Sequence, residues 1–210
     1  MHGHQDVTRL FLWRHPQVRG FEAGKFFGHT DVSLTRTGQK QARLMGEVMA
    51  DHRLAAIYCS DLKRSRMTAE VIARRQGRRI KPKALRELRE LNLGVWEGLS
   101  YNEIDKRYPH ELQARYADLA NYRVQGGESL TDLAMRVMPV IEDIRKHHPG
   151  AEVCLVGHGG LNRVVLAMII GLPLDRVFRL EQTYGCLNII EFHADGLPVL
   201  TLMNQPLAED

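Results

Sequence analysis

Long apolar runs are missing from this chain of 210 residues. No stretch approaches the ~18 consecutive apolar residues of a transmembrane helix, which excludes a membrane-spanning helical protein. Cysteine is scarce: Cys59, Cys154 and Cys186 are odd in number, widely spaced and set in apolar, strand-like segments. That pattern excludes a disulfide framework and reads as reduced core residues. Lys/Arg runs and interleaved aromatic platforms are also missing, so the net charge of +4 does not point to nucleic acid. There is no internal repeat and no low-complexity segment. Met1 to Asp6 carry no apolar run ahead of the first strand, so a secretory signal is not expected and a cytoplasmic location is. Histidines come closest to a metal site at His2 with His4 and at His147 with His148. His2 and His4 fall on the terminal segment ahead of the first strand, and the adjacent His147 and His148 at a helix end diverge by about 100°, so neither pair is a ready-made ligand set. No metal or other cofactor is expected.

What is present is an ordinary globular composition, 44% hydrophobic and 26% charged, enough for one domain spanning residues 1–210. Strand character appears over Thr8 to Trp13, Leu54 to Cys59, Ile80 to Leu85, Glu152 to Val156, Leu187 to Phe192 and Val199 to Leu202. Helical patterns lie between them: from a Thr35 cap to about Ala50, from Lys63 to Arg75, from Leu130 to His147, and from Gly159-Gly160 to Ile170. The alternation predicts an α/β fold, a three-layer α/β/α sandwich with a mostly parallel central sheet. Ala194-Asp195-Gly196 predicts a hairpin that adds an antiparallel edge strand. Residues 97–127 interrupt the rhythm with polar and aromatic sequence, helical in pieces. A lid that shields a site and a packed structural insertion both fit them.

Chemistry concentrates where strands end. Arg14-His15 closes the first strand, at the sheet edge where open α/β folds bind ligands. Ser60-Asp61 follows the second strand and can cap the next helix, which puts Arg64 in its first turn beside free N–H groups. The strand Val153 to Val156 ends in Gly157-His158-Gly159-Gly160, whose bare backbone lets an oxyanion approach main-chain N–H groups. A carboxylate-rich turn runs from Leu85 to Gly98, and periodicity alone does not choose among Glu87, Glu90 and Glu97.

In their order these segments resemble the histidine phosphatase superfamily, in the branch that includes cofactor-dependent phosphoglycerate mutases. Arg14-His15-Pro16 stands at its Arg-His-Gly signature, and Leu34 to Ala42 at its Leu-Thr-x-x-Gly-x-x-Gln-Ala helix start. Ser60 to Ala69 matches Ser-x-Leu-x-Arg-x-x-x-Thr-Ala, Leu88 to Gly98 the acid-bearing turn, and Gly157 to Gly160 the closing histidine motif. The resemblance implies catalytic roles for His15 as nucleophile, Glu90 as acid and base, and Arg14, Arg64 and His158 as holders of the phosphate. It implies that Gly28 and Gly159 also line the substrate. The implied reaction is phosphomonoester hydrolysis through a phosphohistidine. Phe27 to Leu34, Gly126 to Ser129 and Tyr184 to Cys186 are similar to α-ribazole phosphatases, which makes α-ribazole 5′-phosphate the favoured substrate. The alternatives are a broad-specificity phosphatase, a phosphoglycerate mutase and a non-catalytic phosphate-binding module. The compact stretch from Glu97 to Gly127 favours hydrolysis over phosphoryl exchange. Pro16 departs from the family glycine and removes one backbone N–H from the phosphate side. The expected partner is a small phosphorylated molecule, with the chain a monomer or homodimer.

Overall fold

A computed structural model describes residues 7–208, so His2 and His4 lie outside the described residues. Six strands form one sheet: β1 (Thr8–Arg14), β2 (Leu54–Ser60), β3 (Lys83–Leu85), β4 (Glu152–Gly157), β5 (Leu187–Phe192) and β6 (Pro198–Gln205). Their order across the sheet is β3-β2-β4-β1-β5-β6. The pairs β3–β2, β2–β4 and β4–β1 are parallel, while β1–β5 and β5–β6 are antiparallel. The opposing strand is therefore β5, one place in from the edge, and β6 at the edge runs with the parallel block.

The central strands are apolar on both faces because both are covered. Leu10 and Leu12 of β1, with Val153 and Leu155 of β4, pack against α5 (Leu130–His147) and α6 (Gly159–Ile170). Phe11 and Trp13, with Cys154 and Val156, face Met45 of α1 (Arg36–Val48) and Ile72 of α2 (Lys63–Arg75). Thr35 caps α1, its Oγ accepting from the Gly38 N–H at 2.9 Å, a contact worth about 1 kcal/mol. Ser129 and Asp132 form a reciprocal capping box at the start of α5. β3 is shorter than the Ile80 to Leu85 pattern predicts, because Pro82 has no N–H to give the ladder. No helix among the described residues is long and apolar enough to cross a membrane.

The cap expected at α2 is a correction. Leu62 occupies the N-cap without a side-chain bond, and the Lys63 N–H instead donates to Asp31, from a distant loop, at 2.8 Å. Asp61 is committed to a bidentate pair with Arg89, both contacts at 2.6 Å. Ser60 pairs with His158, its Oγ 2.7 Å from Nε2.

Candidate active site

The register of β1 on β4 sets the site. Arg14 lies opposite Gly157, and the His15 N–H donates to the Gly157 carbonyl at 3.1 Å. Two strands of equal reach thus end side by side, each delivering a histidine. The His15 and His158 rings meet edge to face with centroids 5.0 Å apart. His15 is 5% exposed, and His158 is fully buried behind it.

Nδ1–H of His15 donates to the Pro16 carbonyl at 2.8 Å. A carbonyl can only accept, so the ring proton sits on Nδ1 and the lone pair on Nε2. Pro16 removes an N–H relative to a glycine but keeps the carbonyl that orients the ring. Burial, then the charges of Arg64 and Arg14, push the His15 imidazole well below its usual range. The same causes, with His15 added, push His158 down. Both rings are neutral in the resting site, as a nitrogen nucleophile requires.

Three arginines differ in how their donors are used. Arg14 lies with its guanidinium 3.8 Å from the Tyr184 ring centroid; Nη1 donates to the Gln182 carbonyl, and Nε is buried without a protein partner. Arg64 is 1% exposed and donates to the carbonyls of Thr30 (2.8 Å) and Gly28 (2.6 Å). Arg163, at the start of the second turn of α6, donates to the Leu180 carbonyl at 2.8 Å and to the Gly159 carbonyl at 3.2 Å. All three line one cavity with His15 and Glu90.

Glu90 is the glutamate that reaches this edge. Its Oε1 accepts from the Leu91 and Leu161 N–H groups at 2.8 and 2.9 Å, and its Oε2 from Gly160 at 2.8 Å. The carboxyl therefore sits on the positive end of α6. Gly160 permits this approach: a Cβ there would lie 2.6 Å from Glu90 Oε1. Glu87 is exposed and offers only its backbone carbonyl, to Arg136. Glu97 is structural, accepting from the N–H groups of Gly28, His29 and Thr30 at 2.6 to 3.1 Å. Gly28 is thus occupied on both sides, by Glu97 at its N–H and by Arg64 at its carbonyl. It supports Arg64 rather than facing the cavity, whereas Gly159 does face it, close enough that a Cβ would lie 3.2 Å from Arg14.

The cavity holds about 580 Å³. Part of its wall comes from the 97–127 segment, where α3 (Tyr101–Arg107) supplies Tyr101 and α4 (Pro109–Ala117) supplies Leu112 and Arg115. Sequence reasoning missed Arg163 and Arg115. Arg163 carries a signal, as the one charge in the mostly apolar α6; Arg115 carries none, because only tertiary packing turns it inward. His147 and His148 serve the fold, Nδ1 of His147 bonding to the Asp143 carbonyl and Nε2 of His148 to the Tyr58 hydroxyl.

Neutral burial of His15 and His158 has a stability consequence with a definite sign. The folded state binds these protons only well below the ordinary value of 6.5, so the unfolded chain takes them up first as pH falls. The contribution is complete above about pH 6.5 and is lost progressively below it. Melting temperature is expected to drop between about pH 7 and 5, with a shallower slope in His158→Asn; parallel slopes would refute the assignment.

Several known proteins are similar to this chain over most of its length. The chain is 29% identical to phosphoserine phosphatase 1 of Hydrogenobacter thermophilus over 87% of its own length and 83% of that protein's. It is 33% identical to the glucosyl-3-phosphoglycerate phosphatase of Mycolicibacterium vanbaalenii, over 80% and 77%. The solved structure of a putative α-ribazole-5′-phosphate phosphatase from Escherichia coli superimposes with a TM-score of 0.86 at 22% identity, covering 97% of this chain and 99% of that one, a likeness of fold. Residues 10–206 match the family of branch 1 histidine phosphatases. With its two strand-end histidines and its buried arginines, this chain belongs to the histidine phosphatase superfamily, branch 1.

Proposed function

We propose that this chain is a phosphomonoesterase that works through a phosphohistidine on His15, with fixed cations rather than a metal holding the phosphate. The observation that carries the reading is the His15 tautomer, with Nε2 unprotonated beside Arg14 and Arg64. Nε2 attacks phosphorus as the bond to the leaving oxygen breaks, and the Glu90 carboxyl protonates that oxygen. Water then attacks phosphorus, its proton passes to the Glu90 carboxylate, and the N–P bond breaks to restore Nε2. Phosphoryl transfer asks the protein mainly for positioning and charge, which the guanidiniums supply in paired hydrogen bonds. The 97–127 segment acts as the lid over the leaving group.

For the substrate, the aromatic walls given by Phe27, Trp96, Tyr101 and Tyr184 suit a flat leaving group, and with the Phe27 to Leu34 stretch they support α-ribazole 5′-phosphate. A second reading is a phosphorylated carboxylic acid, favoured by the buried Arg115 of the lid and by the names of the two relatives above. Hydrolysis of an aryl phosphate is expected to continue in EDTA, and a panel of α-ribazole 5′-phosphate, O-phosphoserine, 3-phosphoglycerate and sugar phosphates ranked by kcat/KM separates the substrates. Loss of activity in EDTA, or isomerisation of 3-phosphoglycerate without release of phosphate, would overturn the metal-free hydrolase.

A further inference from the structure

Glu90 is held from two directions: its carboxyl rests on α6, while its main chain is tied to α5. The residue lies outside any helix or strand, so little regular structure fixes its direction. Arg136, in the second turn of α5, spreads its guanidinium along the backbone there. Nη1 donates to the carbonyls of Glu87 at 2.6 Å and Arg89 at 3.0 Å, and Nη2 to the Glu90 carbonyl at 3.2 Å. Its other edge closes on Glu128, Nε to Oε1 at 2.9 Å and Nη2 to Oε2 at 2.8 Å. Glu128 also secures the chain beyond the acid. Its Oε2 accepts from the Asn92 N–H at 3.0 Å, and its own N–H donates to the Asn92 carbonyl at 2.9 Å. Burial works against the Glu128 charge, but Arg136 and the Asn92 N–H outweigh it and keep the carboxyl below its ordinary range. A further bond comes from the loop that cradles Arg64: His29, between the Gly28 and Thr30 carbonyls that Arg64 binds, donates from Nε2 to the Glu90 carbonyl at 3.0 Å. Arg136 and Glu128 themselves stand outside the cavity wall.

We infer that Arg136, braced by Glu128, is a positioning residue for the acid: by spanning the carbonyls of residues 87–90 it aims the Glu90 carboxyl at the leaving oxygen. The inference rests on the phosphomonoesterase reading and adds to it a clamp that touches neither substrate nor reacting atoms. Aim matters because a catalytic group misplaced by about 1 Å can cost roughly 100-fold in rate. The clamp needs arginine in particular. A planar fork reaches several carbonyls and a carboxylate at once, whereas the ammonium of a lysine is a point charge on a flexible stem.

The test separates aiming from stability. In Arg136→Met, kcat/KM on the alkyl phosphate that ranks first in the panel is expected to fall about 10- to 100-fold. An aryl phosphate, whose leaving group needs little help from an acid, should fall less than about threefold. Arg136→Lys should lie between Arg136→Met and the wild type; a lysine variant equal to the wild type would place the effect in the charge and overturn the inference. Arg136→Met added to Glu90→Gln should cost little more, because the group it aims has already lost its proton. A clamp that served only the fold would lower both substrates alike and add its full cost to Glu90→Gln, and either result refutes aiming. The Gly160 and Leu161 amide signals in NMR spectra give a readout that needs no turnover, since both groups donate to the Glu90 carboxylate. Glu90→Gln fixes where these signals move when the carboxylate is gone. Arg136→Met should shift them towards those positions while the signals of β5 stay in place; unmoved Gly160 and Leu161 signals overturn the inference. If Arg136→Met does not fold, Arg136→Lys carries both measurements. If the wild type hydrolyses neither ester, the phosphomonoesterase reading falls, and the amide signals alone decide the clamp.

Discussion

Replacing His15 with alanine is expected to lower turnover of every phosphomonoester by roughly 10⁴- to 10⁶-fold, the scale on which a lost nucleophile registers. The residual rate would come from the arginines, which still bind and polarise the phosphate. The expectation is sharp because a second histidine lies 5.0 Å away, centroid to centroid, equally neutral and more deeply buried. The two differ in their nitrogens. His15 has Nδ1 tied to the Pro16 carbonyl and presents Nε2, whereas His158 has Nε2 committed to Ser60. The wild-type enzyme quenched during turnover should therefore carry an acid-labile, base-stable phosphate that peptide mapping places on His15. Phosphate mapped to His158, or an undiminished adduct in His15→Ala, would reverse the assignment.

Glu90→Gln should cost roughly 10²- to 10⁴-fold in kcat/KM on alkyl phosphates, the usual contribution of a positioned acid. The amide keeps an oxygen for the Leu91 and Leu161 N–H groups but has no proton to give to an alkoxide. An aryl phosphate expels a much weaker base, so its kcat/KM, which reports formation of the phosphoenzyme, should fall far less. Its kcat should still fall, because Glu90 must activate the water that clears His15. A burst of phenol equal to the enzyme concentration followed by slow turnover is the expected signature. Equal losses in kcat/KM on both substrates would show that Glu90 only shapes the site. Glutamine also sets an NH2 against the Gly160 N–H, so an unchanged melting temperature is the control for local disorder.

Much of the fold was legible because its signals are local. The limits of α2, α5 and β5 coincide with their apolar periodicity, and Gly171 closes α6 in the left-handed conformation that glycine favours. The strand-end histidines were legible for the same reason, as each motif carries its own strand and turn. What sequence could not display is non-local. Asp31 serves a helix 32 residues away, and Glu97 reaches back to the loop that holds Arg64. The choice of Glu90 over its neighbours came from family resemblance; its geometric reason is a partner on α6, 70 residues on. Arg115 sits in an unremarkable polar helix, and only docking of that helix buries it.

The pairing of β1 with β4 carries a consequence for how activity is acquired. One histidine follows β1 and the other follows β4, and the register between those strands sets them side by side. A one-residue slip would turn every side chain of β1 to the opposite face and carry His15 away from His158. Closing so long a loop is a slow, entropically costly event in folding. Regain of phosphatase activity after dilution from denaturant is therefore a clock for the closing of the sheet's centre, and it runs no faster than that step however early the helices form.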